Sequence, residues 1–334
     1  MPLAVTLARH PEGPVTTDDF AVVEVPTPEV PDGWFLTRNR VISLDAGFRQ
    51  WMTAGAGDNY LSGMPIGDPV QSIVLGEVVE SRHPEYPVGT MVNARTAWEE
   101  VSLLDGSDLC APLAVADDLH LAEYMSTLGP TGMTAWLGLF RVGQPKAGEV
   151  VVVSAAGGAV GTIAGQLAKQ AGCRTIGLVS SAEKAAWLES EVGYDCAISR
   201  EAQPDLAAAL ASAAPEGVDI FFDNVGGSVL NTVLAQLKEG ARLVLCGAIS
   251  QYESEVEPVT NTWELITKRA RMEGFMFSDY AAEFPAVMET LESQLREGSL
   301  RTFDQRYHGI EQTPQAFCDM MHGASRGKCL VVLD

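Results

Sequence analysis

The sequence predicts a chain in two parts, a β-rich first part and a doubly wound parallel α/β sheet after it. Three observations carry this. Up to about residue 125, short apolar runs are broken by Pro and Gly; from about Thr127, apolar strands alternate with helical periodicity; and the last ~30 residues leave that alternation. A length of 334 residues suits about two domains.

In the first part, Ala21–Pro26, Gly33–Thr37 and Ser72–Val79 read as strands separated by turn residues, the pattern of a small barrel or sandwich. Between Ala54 and Gly67, Gly55, Gly57, Gly63 and Gly67 accompany Tyr60, Met64 and Pro65, which predicts a mobile loop. The second part begins with Val150-Val151-Val152-Val153, a β-branched run suited to a strand buried on both faces. Val160, Ile163, Ala164, Leu167, Ala168 and Ala171 then recur at helical spacing. The alternation continues with strand Thr175–Val179, helix Ala182–Glu191, strand Cys196–Ile198, helix Asp205–Ala213 and strand Val218–Phe222. A helix near Val229–Leu237, strand Arg242–Cys246, a sixth strand at Met272–Phe277 and an amphipathic helix over Phe284–Leu295 complete it. In the tail, Thr313 as cap with Pro314 in the first turn starts a helix, Gly323 stops it, and Leu330–Leu333 is a terminal strand that returns to the first domain.

Composition excludes several functions. The 44 acidic residues outnumber 22 Lys+Arg, for a net charge of −22. Nucleic-acid binding needs a basic face, and docking on anionic lipid needs the same. No apolar stretch approaches the ~18–20 residues of a membrane span, and Met1–Val5 lacks the form of a signal peptide. The six cysteines are widely spread with no CxxC pair, so reduced thiols in the cytoplasm are expected. Neither they nor the five histidines have zinc-ligand spacing.

The chemistry concentrates at the first strand-to-helix junction, Ser154-Ala155-Ala156-Gly157-Gly158-Ala159-Val160-Gly161. The dinucleotide fingerprint GxGxxG falls here on Ala156, Gly158 and Gly161. Gly158 lets backbone approach a pyrophosphate, Gly161 lets helix and strand pack closely, and helix N-terminal amides hold the negative charge. Downstream, NAD sites place an acid at the end of the second strand. This chain has Ser180 and Ser181 followed by Lys184, and Arg200 follows the third strand. Hydroxyls and cations suit a 2′-phosphate, so the reading favours NADP.

Several stretches identify a resemblance. They are Ser43–Asp45 with Arg49 and Met52; Gly129–Trp136; Ala156–Gly161; Ser181–Lys184; Phe222–Gly227; Cys246–Tyr252; and Arg271–Phe275. With these the chain resembles the zinc-independent branch of the medium-chain dehydrogenase/reductase superfamily, in the group of prostaglandin, curcumin and plant double-bond reductases. The resemblance implies a Rossmann doubly wound parallel sheet (126–304) inserted in a GroES-like β-barrel catalytic domain (1–125 plus 305–334). It implies a homodimer and NADPH-dependent reduction of the carbon–carbon double bond of α,β-unsaturated ketones and aldehydes. Carried over by position, Gly158, Ala159, Val160 and Gly161 cradle the pyrophosphate and Lys184 pairs with the 2′-phosphate. Asn224 lies beside the cofactor, Cys246, Gly247, Ala248, Ile249 and Tyr252 line its nicotinamide half, Thr134 approaches the carboxamide, and Phe275, Met276 and Phe277 flank the ring.

The chain also departs from the pattern. Zinc-bearing relatives carry Gly-His-Glu where this chain has Leu75-Gly76-Glu77 and a cysteine cluster that it lacks. An active-site Tyr is missing from Asp45–Phe48, a second Tyr is Thr267, a Tyr at the 2′-phosphate is Arg200, and an Asn near the C-terminus is Ser325. Enone reduction moves a hydride to the β-carbon and builds an enolate that needs hydrogen-bond donors. Tyr252 and Tyr60 are the protein's candidates, with packing as the competing role of each. Trp51, Met52, Tyr60, Met64 and Phe277 are candidates for an apolar substrate pocket between the domains, against a place in the core. The rival readings are an NADPH quinone oxidoreductase and a non-catalytic NADPH-binding protein.

Overall fold

The chain opens on Leu3-Ala4-Val5-Thr6-Leu7, which forms β1 (Leu3–Leu7) antiparallel to β2 (Phe20–Glu24). The computed structural model describes residues 1–107 and 109–333, and divides into two compact units. The first comprises Met1–Met125, Asp304–Ser325 and the stretch from Cys329 on; the second comprises Ser126–Phe303 and Arg326–Lys328.

In the first unit β3 (Phe35–Ser43), β4 (Gln71–Ser81), β5 (Met91–Ala97), β6 (Val101–Leu104) and β7 (Ala111–Leu113) precede the short helix α1 (Leu121–Met125). Phe20, Trp98 and Phe317 meet in its core at centroid distances of 5.2–6.0 Å. The segment expected as a mobile loop is pinned at two points, because Leu61 and Met64 are 5% and 2% exposed in that same core. Asp58 accepts the Tyr60 and Leu61 N–H groups at 2.8 and 3.0 Å and shapes the turn between these anchors.

The second unit starts with α2 (Pro130–Leu137), whose proline occupies the first helical turn. β8 (Val150–Ser154) follows, buried at every position, as a strand covered on both faces must be. Then come α3 (Ala159–Gln170), β9 (Arg174–Val179), α4 (Ala182–Trp187), β10 (Cys196–Ser199) and α5 (Leu206–Ala213). Asp205 caps α5 by accepting the Ala208 N–H at 3.0 Å. β11 (Val218–Asp223), α6 (Gly227–Leu234), β12 (Leu237–Leu245), α7 (Trp263–Thr267), β13 (Arg271–Gly274) and α8 (Phe284–Arg296) complete the unit. The six strands lie in the order β10-β9-β8-β11-β12-β13, all parallel. Counted within the unit, that is 3-2-1-4-5-6, the order of dinucleotide-binding sheets.

The chain then returns with β14 (Asp304–His308), α9 (Thr313–Met321) and β15 (Lys328–Val332). β15 lies between β14 and β3, in the sheet order β14-β15-β3-β4-β5-β7, with β6 also paired to β3.

Some boundaries differ from the sequence reading for local reasons. The helix expected through Leu237 ends at Leu234, and Leu237 begins a strand; its buried side chain joins the same core either way, which misleads a periodicity count. The helix expected through Glu191 becomes a wider π turn over Leu188–Val192, closed by Gly193 at φ 94°. The sixth strand stops at Gly274, so Phe275–Phe277 leave the sheet. Thr313 is the first helical residue and Gln312 is the cap.

Helix α3 is held by Tyr194, whose hydroxyl donates to the Gly161 carbonyl at 2.6 Å. A Cβ on Gly165 would enter the Tyr194 ring, so this contact also requires glycine. Tyr194→Phe is expected to keep the ring in place and lower stability by about 1 kcal/mol, read from the urea unfolding midpoint at unchanged slope.

Candidate functional site

In the second unit β8 has β9 on one side and β11 on the other, so successive strands run outward in opposite directions from this point. Crevices at the carboxyl ends of such strands take ligands. The loop leaving β8 turns at Ala155, whose φ of 46° is left-handed, and closes with a Gly158 N–H to Ala155 carbonyl bond of 2.9 Å. Such a conformation costs an alanine about 1–2 kcal/mol. The unusual backbone therefore sits at Ala155, one residue before the slot assigned from the sequence.

Gly158 caps α3 in extended conformation and has no side chain to occupy the first-turn N–H groups, which stay available to an anion. A Cβ on Gly158 would meet the Ala155 oxygen at 3.2 Å. One on Gly161 would lie 2.5 Å from that oxygen and 2.6 Å from the Ala156 Cα, so only glycine lets α3 approach the loop this closely. The residues therefore fit a pyrophosphate: a cradle bare of side chains under a helix N-terminus.

Beside the loop lies a polar network that the sequence reading missed. The Ser154 hydroxyl donates to Asp223 at 2.7 Å and accepts the Asn224 N–H at 2.8 Å, while the Asn224 carboxamide donates to the Ser154 carbonyl at 2.7 Å. Asp223 also accepts the Val225 and Gly226 N–H groups at 2.9 and 3.1 Å, and burial holds its pKa above the usual carboxylate range. This network fixes Asn224 at the end of β11. The Cys246 N–H continues it by donating to the Asp223 carbonyl at 2.8 Å. Burial, with Asp223 nearby, pushes the Cys246 thiol up to about 12, so it stays protonated at neutral pH.

At the end of β9, Ser180 is exposed and Ser181 caps α4 by accepting the Lys184 N–H at 3.3 Å. The Lys184 stem lies within 3.6 Å of where a Gly157 Cβ would be, against the turn of the loop. Burial and the Arg326 guanidinium push its pKa below the ordinary lysine value, against an opposing pull from Glu183. The Arg200 N–H donates to the Val179 carbonyl at 3.0 Å, which sets Arg200 beside the same strand end. Arg326 was not singled out from the sequence. Its neighbour Gly327 donates to the Gly157 carbonyl at 2.8 Å and bridges to Gly158, so Arg326 is carried on the loop itself. Its guanidinium lies 5.5 Å from the Trp187 ring centroid and pairs with Glu183. The expected Ser325 is buried and belongs to the first unit.

The remaining cofactor candidates divide. The Tyr252 hydroxyl oxygen accepts the Ala248 N–H at 3.0 Å, and burial raises its pKa. Gly247 packs close to it: a Cβ there would lie 3.4 Å from the Tyr252 oxygen and 3.2 Å from the Asn224 carbonyl. The Ile249 N–H donates to Asn224 O at 3.2 Å. Thr134 spends its hydroxyl proton inside α2, on the Pro130 carbonyl at 2.8 Å. Phe275 packs against Gly138, Met276 is 38% exposed, and Phe277 stacks on Phe284 at 5.7 Å.

In the first unit Met52 and Met64 are 0% and 2% exposed, with Trp51 beside them in the hydrophobic core. Both thus sit in the core, the place that the sequence held open against a substrate pocket. Tyr60 is 37% exposed and tilts against Trp51 at 5.6 Å.

Residues 4–111 match the family described as N-terminal domain of oxidoreductase, and residues 159–293 match the one described as zinc-binding dehydrogenase. The residues do not fit zinc. Among the described residues no three His, Cys, Asp or Glu group to hold a metal, and Glu77 pairs with Arg40 at 2.6 Å. The chain is 38% identical to the NADP(+)-dependent 2-alkenal reductase of Nicotiana tabacum, over 91% of this chain and 89% of that one. It is 32% identical to the NADPH-dependent curcumin reductase of Escherichia coli, over 97% and 95%. The crystal structure of CurA from Vibrio vulnificus in complex with NADPH superposes with a TM-score of 0.93 at 32% identity, covering 99% of both chains. By these matches, together with the sheet order and the glycine-lined loop, the chain belongs to the medium-chain dehydrogenase/reductase superfamily, in the zinc-independent group of the prostaglandin, curcumin and 2-alkenal reductases.

Proposed function

We propose that the protein is an NADPH-dependent reductase of the carbon–carbon double bond of α,β-unsaturated ketones and aldehydes. The observation that carries this is the glycine-lined loop with Lys184 at its turn, in a chain so close to a 2-alkenal reductase. Bound NADPH would supply the hydride to the β-carbon of the substrate, and water the proton that then reaches the α-carbon. Gly158, Ala159, Val160 and Gly161 hold the pyrophosphate against the N-terminus of α3. Ser180, Ser181, Lys184 and Arg200 surround the 2′-phosphate. Asn224, held by Ser154 and Asp223, and Cys246–Ile249 orient the nicotinamide half, with Thr134 and Phe275–Phe277 as its other neighbours.

Tyr252 donates a hydrogen bond to the oxygen that becomes the enolate. Its raised pKa keeps it protonated at neutral pH, and the Ala248 N–H bond to its oxygen orients the phenol and strengthens it as a donor. Tyr252→Phe is expected to lower kcat for an enone about 10²-fold or more while KM for NADPH moves by less than about threefold. Steady-state kinetics in both substrates check this; an unchanged kcat assigns Tyr252 to packing.

A cytoplasmic homodimer goes with this reading. Among the described residues no helix is long and apolar enough to cross a membrane. The function is tested by following NADPH consumption with purified protein against 2-alkenals, enones and quinones. Saturable turnover of enals or enones is expected, faster with NADPH than with NADH. Saturable turnover of quinones alone would make it a quinone reductase, and NADPH binding without turnover a binding protein.

A further inference from the structure

Arg326, Glu183, Lys184 and Trp187 form one group around Gly157. The Arg326 backbone is fixed by the Gly327 N–H to Gly157 carbonyl bond of 2.8 Å and by the Gly158–Gly327 bridge. Its guanidinium packs on Trp187, whose ring is held edge-on by Phe303 at 5.4 Å. Trp187 lies within 3.6 Å of a Gly157 Cβ position, as does the Lys184 stem. Two cations therefore converge on the loop turn from separate parts of the chain, in a protein whose net charge is −22. A shared anion resolves the repulsion between two such neighbours, and the anion present is the Glu183 carboxylate. The Arg326 and Glu183 side chains are 37% and 82% exposed, so their pair is a weak one that a stronger anion can displace.

We propose that Arg326 is a further cation of the adenosine 2′-phosphate site, beside Lys184 and Arg200, and that Glu183 occupies it as an internal stand-in, which the phosphate displaces when NADPH binds. A phosphate offers Arg326 two acceptor oxygens in its plane and carries more charge than a carboxylate. The Trp187 face keeps the guanidinium in place during the exchange. This inference rests on the NADPH reading above and adds a residue and a competitor to it. Ser180, Ser181 and Lys184 supply selectivity for the phosphate; Glu183 lowers the affinity gained.

The experiment measures KM for NADPH and NADH, and inhibition by 2′,5′-ADP against 5′-AMP, for the whole protein and three variants. Arg326→Leu is expected to raise KM for NADPH and Ki for 2′,5′-ADP by about tenfold and leave NADH and 5′-AMP within about twofold. Arg326→Lys is expected to recover part of that loss, since it keeps charge without the planar fork. Glu183→Gln is expected to tighten NADPH and 2′,5′-ADP about threefold by removing the competitor. Equal effects of Arg326→Leu on NADPH and NADH, or no effect, overturn the assignment of Arg326, and weaker NADPH binding by Glu183→Gln overturns its role as a stand-in. If the unmodified protein does not distinguish NADPH from NADH, the cofactor reading itself has failed; if it does and Arg326→Leu preserves the distinction, this inference alone has.

Discussion

Lys184→Ala is expected to raise KM for NADPH by about 10–150-fold while KM for NADH stays within about twofold. The range is that of one hydrogen bond to a charged group, about 1.5–3 kcal/mol, converted at ~1.4 kcal/mol per tenfold. The pH dependence carries the same signature. Burial and Arg326 hold the Lys184 pKa below the ordinary lysine value in the free protein. A bound phosphate favours the ammonium and raises that pKa, so binding NADPH takes up a proton. NADPH affinity is therefore full below the depressed pKa and falls as pH rises through it, while NADH affinity does not follow. Paired titrations of the two nucleotides across alkaline pH check both statements. Equal weakening of NADPH and NADH by the substitution would refute the role of Lys184.

Gly161→Ala is expected to weaken the binding of both nucleotides and to destabilise the protein. The added methyl would lie 2.5 Å from the Ala155 oxygen and 2.6 Å from the Ala156 Cα, both backbone atoms, so no side chain can turn away to accommodate it. The helix must move off the loop. Forcing a methyl into a packed contact costs about 1–3 kcal/mol, and the shift also breaks the cradle under the α3 N-terminus and strains the Tyr194 bond to the Gly161 carbonyl. Urea unfolding and nucleotide titration separate the two losses. Where Lys184→Ala splits NADPH from NADH, Gly161→Ala weakens both by about 10²-fold or more, because the pyrophosphate is common to them. Retained affinity for either nucleotide would sink the placement of the pyrophosphate.

The sequence exposed those elements whose side chains obey one simple period. Val150–Val153 announced β8, and Val160 to Ala171 announced α3, because a strand buried on both faces and a helix buried on one leave unmistakable spacing. β1 and β5–β7 were not picked out: β6 and β7 have only four and three residues, and in β5 Asn93, Arg95 and Thr96 leave no continuous apolar run. Gly158, Gly161 and Lys184 stood out because the loop needs those residue types locally. Ser154 and Asp223 did not, since their pairing joins positions that are distant in sequence and only the β8–β11 adjacency brings them together. Arg326 was hidden for the same reason, although a basic residue beside glycine in so acidic a chain was a usable signal. Met52 and Met64 stayed open between two roles because a methionine near a glycine-rich segment reads equally as a pocket wall or as filler.

The place of β15 governs the order in which the molecule can be made. Translation delivers residues from the N-terminus at ~5–20 per second, and all six strands of the second unit emerge within one continuous stretch, 150–274. β3 is synthesised early, yet along one of its edges Val41–Ser43 pairs with Leu330–Val332, far later in the chain, while Phe35–Arg38 pairs with β6. Until β15 arrives, Val41–Ser43 offers unpaired amides and carbonyls to any other nascent segment. The sheet of the N-terminal unit is thus completed only when β15 has joined β3.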